Sequence, residues 1–320
     1  MLAPSRAFSH CAERGAAVIM AMLTVALVVS LSAAVLAEFG ASVESVSGRH
    51  DLAQARWLAR GTIDWARNVL ADDKRTTGAV DYVGESWSVK MSLTAVEEGD
   101  VSGEIDDISG RFNLNAVITD KGEPRAAGIA AFARLLQQAG GLSQAVANNQ
   151  ASVLADWVRF AEDAQKKSPS ASSEKKSRFA APLPIVDELV NVPGFSASTV
   201  ERLRPFIAAL PPESRLNLNC ATAEVLFASL GSITMDQAQG IVSDRAKASF
   251  KDLVDFNQRY ASRYKVSADP LLHTTGSRFF LASGRARFGT ATTRIQALLD
   301  RSEPDNHNNL WPSVVWQRIL

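Results

Sequence analysis

Near the N-terminus, residues 16–37 read AAVIMAMLTVALVVSLSAAVLA, 22 positions without a charge. At about 1.5 Å per helical residue this run spans a hydrocarbon layer of roughly 30 Å, so it predicts a transmembrane helix. Arg6 and Arg14 precede it and Glu38 is the first charge after it, which keeps the N-terminus cytoplasmic and sends the rest of the chain across the membrane. A secretory signal has a shorter apolar core of about 7–15 residues and a small-residue cleavage site, which Ser32-Ala33-Ala34 and Ala37 could supply. From Glu38 to about Asp73, apolar residues recur at helical spacing: Phe39, Val43, Val46, Ala53, Trp57, Leu58, Trp65 and Val69. The membrane helix is therefore expected to continue as an amphipathic stem, with one irregularity where Gly40, Gly48 or Gly61 weakens it.

Beyond the stem the period changes. Residues 86–93, SWSVKMSL, alternate strictly and predict a half-buried strand showing Trp87, Val89, Met91 and Leu93 on one face. A second extended run covers residues 101–114, and residues 278–288 with 290–299 predict a hairpin turned at Gly289. Between these lie helical patterns with Gly and Pro stops, including a helix from Ala197 to Ala209. The expected class is α+β, an N-terminal helix on an antiparallel sheet with a large all-α insert. The boundaries are a leader 1–15, a membrane helix 16–37, a stem 38–75, sheet parts 76–115 and 269–320, and an insert 116–268. Residues 165–182, rich in Ser, Lys and Pro, are expected to form an exposed flexible loop within that insert.

Composition narrows the chemistry. Lys plus Arg and Asp plus Glu are both 34, so no net field steers the chain toward nucleic acid. The two cysteines, Cys11 and Cys220, give no disulfide within a chain processed after the leader, and Cys220 reads as a small buried residue. His10, His50, His273 and His307 are too scattered for a zinc cluster. Asp106-Asp107 and Glu97-Glu98 are sequence neighbours and point to opposite faces of a strand, so neither is a catalytic carboxylate pair. With no Ser-His-Asp order and no phosphate loop, no enzyme is expected. In Asn217-Leu218-Asn219-Cys220-Ala221-Thr222, the Asn and Thr side chains are expected to cap a helix, with Glu224 near its positive end.

A short basic leader, Glu13-Arg14-Gly15, an abrupt apolar run and an amphipathic extension together resemble the class III signal of type IV prepilins and pseudopilins. The resemblance implies cleavage by a prepilin peptidase between Gly15 and Ala16, although Phe or Met is commoner than Ala at the new N-terminus. IDDISGRFNLNAV, Ile105 to Val117, and the stretch from Val186 to Gly231 resemble the K-type minor pseudopilins of type II secretion systems. That likeness extends from Gly15 through Asp269-Pro270-Leu271-Leu272 and Ser277-Arg278-Phe279-Phe280.

The resemblance implies a pseudopilin fold, a single-pass inner-membrane protein, and a place at the tip of a periplasmic pseudopilus that exports folded proteins. Implied partners are the I-type and J-type minor pseudopilins, the major pseudopilin, the inner-membrane assembly platform and the prepilin peptidase, with no nucleic acid. Major pilins carry a glutamate at the fifth mature residue, where this chain has Met20. Trp57 and Trp65 are the candidate partner contacts on the stem, one of them expected to pack on its own sheet. The family's calcium loop follows an Ala-Asp-Trp helix end, here Ala155-Asp156-Trp157. Only Glu162 and Asp163 follow before Lys166 and Lys167, so calcium is expected to be weak or absent, with Asp156, Glu162 and Asp163 as the best candidate ligands. A rival reading comes from Leu189-Val190-Asn191-Val192-Pro193-Gly194-Phe195, which matches a helix-hairpin-helix turn and suggests a membrane-anchored DNA-binding competence protein. Asp187, Glu188 and Glu201 beside that turn oppose phosphate binding.

Overall fold

The computed structural model describes residues 11–166, 182–302 and 310–320, with side-chain surroundings from residue 16 onward except at 41 and 160–166. Helix α1, Cys11–Thr76, is one unbroken element of 66 residues joining the apolar run to the stem. The expected irregularity is absent, because a Cβ at Gly40, Gly48 or Gly61 would meet nothing within 4 Å and the helix is not pressed there by any neighbour. Ala59, Ile63, Ala66 and Leu70 recur every three or four residues and are buried against the sheet. Burying Leu70 alone contributes about 1.5–3 kcal/mol.

The sheet holds five antiparallel strands: β1 Met91–Val96, β2 Gly99–Asp107, and later in the chain β7 Phe279–Phe288, β8 Ala291–Asp300 and β9 Ser313–Ile319, in the order β1-β2-β7-β8-β9. β7 and β8 form the predicted hairpin, with Gly289 at a φ of 52° in its turn. The strand expected over 86–93 is corrected. Ser86–Ser88 is a 3₁₀ turn that buries Trp87, whose indole N–H donates to Glu85 Oε2 at 2.8 Å. β1 begins only at Met91, and Val89 and Leu93 stay exposed, because this edge strand lies beyond the cover of α1.

Between the neighbouring strands β2 and β7 the chain makes its long excursion, residues 108–278. Within it come β3 Phe112–Asn113, α2 Ala126–Gln138, α3 Gln144–Lys166, α4 Ala197–Leu203, β4 Ile207–Ala208, β5 Leu216–Asn217, α5 Ala223–Leu230, α6 Met235–Lys247, α7 Leu253–Tyr264 and β6 His273–Thr274. The segment 167–181, most of the loop expected at 165–182, lies outside the described residues. The helix expected to run to Ala209 stops at Leu203, because Pro205 opens a 3₁₀ turn and the chain then joins a strand.

The excursion is built twice on one plan. In each half a short strand leads into Asn-Leu-Asn, helices follow, and a second short strand returns parallel to the first: β3 with β4, then β5 with β6. The asparagines do the same work in both. Asn113 Oδ1 accepts from the Asn115 and Leu210 amides, and Asn217 Oδ1 accepts from the Asn219 amide. Asn115 Nδ2 donates to the Leu183 and Leu210 carbonyls, and Asn219 Nδ2 to those of Phe250 and Thr275. This corrects the expected cap: Thr222 alone caps α5, accepting from the Val225 amide, while Asn217 and Asn219 are buried staples between segments. A core of Phe132, Leu135, Leu136, Leu154, Leu189, Leu226, Phe250 and Phe256 fills both halves. A smaller contact of Ile108, Leu210, Phe279 and Leu298 seats the excursion on the sheet face away from α1.

Candidate functional site

Two regions hold the candidate residues, the stem and the junction where stem, sheet and excursion meet. Along α1 every residue from Ala16 to Gly40 is exposed, and the helix is long and apolar enough to cross a membrane. Gly15 and Ala16 lie inside its second turn, and Met20 is exposed within the apolar run. Phe39, Val43, Val46 and Trp57 carry the exposed apolar stripe beyond it. Phe39 and Trp57 stand 18 residues apart, five full turns at about 100° per residue, so they share one face. That face is opposite Ala59, Ile63 and Leu70. Trp57 remains 66% exposed, with the Arg60 guanidinium 5.2 Å from its ring centroid. Trp65 is the other kind of residue, half-buried among the stem–sheet core and pressed against Gly103 of β2.

At the junction, Arg301 just past β8 is 4% exposed. Its Nη1 donates to Asp73 Oδ2 at 2.8 Å, its Nη2 to Asp81 Oδ1 and to the Ser277 carbonyl at 3.1 Å, and its guanidinium lies 4.6 Å over Phe280. Asp81 Oδ2 accepts from the Ser277 amide at 2.6 Å, Asn217 Nδ2 donates to the Asp81 carbonyl and to Ser277 Oγ, and Ser277 Oγ donates to Asp107. The end of α1, the end of β2, the second half of the excursion and the start of β7 are thus held by one network. No local pattern in the sequence marks it.

Asp73, Asp81 and Glu85 bring carboxylate oxygens within 4.8 Å of one another, and Arg301 supplies the cation beside them. Burial is the main cause that raises Asp73 and Glu85 above ordinary carboxylates, outweighing their hydrogen bonds to Arg301 and to Trp87. Asp73 and Glu85 therefore each hold a proton more firmly in the folded than in the unfolded chain from the ordinary carboxylate range of about 4 upward. Their own contribution to stability falls as pH rises through their folded values, against an opposite contribution from the buried neutral His273. We expect Glu85→Gln, which keeps an acceptor for Trp87, to remove the Glu85 share of this fall, so that melting temperature declines less steeply than in wild type as pH is raised from about 4. An unchanged slope would locate the effect elsewhere.

Other candidates are placed as follows. Asp156 is exposed on α3, which continues to Lys166 instead of ending after Trp157. Asp156 and Asp163 are seven residues apart on that helix, about 10 Å along its axis, and the side chains of Glu162 and Asp163 lie outside the described ones. Burial pushes the Cys220 thiol well above its usual range, with Asp107 adding to the rise. Ser229 and His273, distant in sequence, meet at 2.7 Å. Yet His273 Nδ1 accepts from the Asp269 amide and burial holds the ring down at about 4, so the neutral ring keeps its proton on Nε2 and donates to Ser229. It offers no base to that hydroxyl. At the Pro193-Gly194 turn, Gly194 has a φ of 92° and the Phe195 amide donates to the Val192 carbonyl. Arg204 beside it is held by Asp187 at 2.6 Å and Glu201 at 2.7 Å, so its charge is already matched.

Known proteins resemble this arrangement. The fold is similar to a chain in a solved structure titled "The Crystal Structure of the GspK-GspI-GspJ complex from enterotoxigenic Escherichia coli Type 2 Secretion System", with a TM-score of 0.65, 14% identity, and coverage of 86% of this chain and 99% of that one. The type II secretion system protein K of Pseudomonas aeruginosa is 26% identical over 307 residues, covering 91% of this chain and 90% of the relative. That of Pectobacterium carotovorum subsp. carotovorum is 28% identical over 313 residues, covering 91% and 93%. Family models described as "Type II secretion system (T2SS), protein K" match residues 110–212 and 216–269, the two halves of the excursion. With both halves matched and relatives aligned along nearly the whole chain, this protein belongs to the type II secretion system protein K family.

Proposed function

We propose that this chain is a non-enzymatic minor pseudopilin that caps the tip of the periplasmic pseudopilus and supports its assembly, anchored in the inner membrane with its N-terminus cytoplasmic. The observation that carries the proposal is the apolar stripe running from the membrane segment through Phe39, Val43 and Val46 to Trp57, on the side of α1 that its own sheet leaves open. A helix exposing such a stripe needs partners, and I-type and J-type minor pseudopilins are the ones the structural neighbour's title names for that protein. The size of the excursion supports the tip, since a body of residues 108–278 on one subunit clashes least at the end of a stack. Met20 supports it too. An apolar fifth mature residue offers no carboxylate to the amine of a subunit ahead, so the chain has no electrostatic reason to sit beneath another. Gly15 eases unwinding of the helix at the bond a prepilin peptidase would cut.

Copurification with I-type and J-type subunits tests the stripe. Trp57→Ala is expected to weaken the complex by about 2 kcal/mol or more, as a buried aromatic anchor does, and to leave the melting temperature unchanged. Trp65→Ala is expected to lower the melting temperature instead. Undiminished assembly by Trp57→Ala would remove the stem from the interface, and Met20→Glu without effect on pseudopilus length would remove the argument from the missing carboxylate.

Calcium is proposed to bind weakly at most around Asp156, Glu162 and Asp163, because one helix does not gather the six to eight oxygens the ion needs. Titration calorimetry is expected to give no micromolar site. A micromolar site abolished by replacing these three residues would overturn this.

A further inference from the structure

On the sheet face away from α1, the β7–β8 hairpin places Arg285 directly opposite Arg294. Their strand neighbours Gly284, Ala286, Thr293 and Ile295 are buried toward α1, so both arginines stand on the open face and are exposed. Cβ atoms of such opposed residues lie about 4.5–5.5 Å apart, and like charges there are destabilising. The other cations of this face have acids or amides: Lys90 meets Glu104 at 2.6 Å, Arg287 meets Asp100 at 2.6 Å, and Arg318 bonds to Asp187 and Gln296. Among the described residues, neither Arg285 nor Arg294 has an ion pair or a side-chain hydrogen bond. Beside them runs an open groove of about 380 Å³ lined also by Ser102, Gly103, Ser283, Leu320 and Glu104, whose carboxylate Lys90 already holds.

We propose that the Arg285–Arg294 pair is a docking site for an acidic segment of a partner protein, its carboxylates gripped by the two guanidiniums while the segment lies in the groove. Charge complementarity selects the occupant: two adjacent, uncompensated, planar donors match carboxylates, and an exposed Arg–Arg pair returns no stability to the fold itself. Anionic lipid is the other source of such charge, and distance disfavours it. If α1 crosses the membrane as proposed above, the helix rises about 21 Å between Ala37 and Asp51. Asp51 holds the hairpin turn through the Thr290 amide at 3.1 Å, and Arg285 lies four strand residues, about 13 Å, farther out. That exceeds several Debye lengths of about 8 Å.

The test uses the full chain in detergent micelles with a fluorescent hexaglutamate peptide, followed by anisotropy at low and physiological salt. Arg285→Gln/Arg294→Gln is expected to weaken binding at least tenfold and to leave the melting temperature equal or higher, whereas Arg285→Lys/Arg294→Lys retains part of the affinity. Arg263→Gln, on a distant helix, serves as the control for loss of any one charge and is expected to bind like wild type. Equal binding by the double Gln variant, or a lowered melting temperature in it, would overturn the proposal. So would selective binding of the full chain in nanodiscs to phosphatidylglycerol vesicles over phosphatidylcholine vesicles that the same substitutions abolish, which would give the site to lipid. Intact assembly with other pseudopilins alongside lost peptide binding separates this site from the Trp57 stripe.

Discussion

Arg301→Met is expected to lower the unfolding free energy by about 3–5 kcal/mol, the usual consequence of removing one partner from a buried ion pair. The two carboxylates it leaves, Asp73 and Asp81, are 1% and 2% exposed and lose the cation that both bond. Against a total stability of about 5–15 kcal/mol this is a large fraction. Loss of shape is a small part of it, since methionine fills much of the same space over Phe280. Arg301→Lys is expected to fall between, because an ammonium has no fork with which to hold Asp73, Asp81 and the Ser277 carbonyl together. Denaturant unfolding of the full chain in detergent measures both. A loss below about 1 kcal/mol for Arg301→Met would mean that the network orients the excursion without stabilising it.

The same network shows why some of this fold was legible in the sequence and some was not. A 22-residue uncharged run, a 3.6-residue period along the stem and two alternating strands around Gly289 are local signals, and each matches an element in the structure. Arg301 meets Asp73 across 228 residues and Asp81 across 220, and nothing near any of the three in the chain announces the others. Asn217 and Asn219 looked like caps because Asn serves well there. They became staples because the returning segment at Thr275–Ser277 and the loop at Asp81 present carbonyls and hydroxyls that only tertiary folding brings close. Trp87 and Val89 alternate as a strand does, but the indole found a carboxylate two residues back and the chain turned instead. At the candidate site, the pattern marked both stem tryptophans as apolar. Which one faces outward is decided by the phase of Ala55, Ala59, Ile63 and Ala66, the small residues that let the helix lie close to the sheet. The arginine pair was invisible because opposition of Arg285 and Arg294 depends on hairpin register.

Closeness of helix and sheet yields the second large effect. Gly284 sits at the centre of β7, facing α1, where a Cβ would overlap Thr62 Oγ1 and crowd Thr62 Cβ at 2.9 Å and Ile295 Cγ2 at 3.1 Å. Thr62 has little freedom to yield, as it is 4% exposed and its hydroxyl donates to the Ala59 carbonyl at 2.7 Å. Gly284→Val must therefore lift the stem from the sheet. Overpacking of a core ordinarily costs about 1–3 kcal/mol. Here the helix moves as one body and also loses part of the burial of Ile63 and Leu70, each worth about 1.5–3 kcal/mol when complete, so a loss of at least about 3 kcal/mol is expected. Gly103→Ala on the neighbouring strand meets the Trp65 ring at 3.4 Å and the Ser283 carbonyl at 3.6 Å, ordinary or slightly tight contacts, and is expected to be nearly neutral. The decisive comparison is compensation. Gly284→Ala combined with Thr62→Gly should be more stable than the sum of the two single changes predicts, by about 1 kcal/mol or more, since Thr62→Gly removes the atoms the new methyl would overlap and the methyl fills part of the space they vacate. Strict additivity, or a Gly284→Val chain that melts like wild type, would show that α1 is not held at the distance these small side chains set.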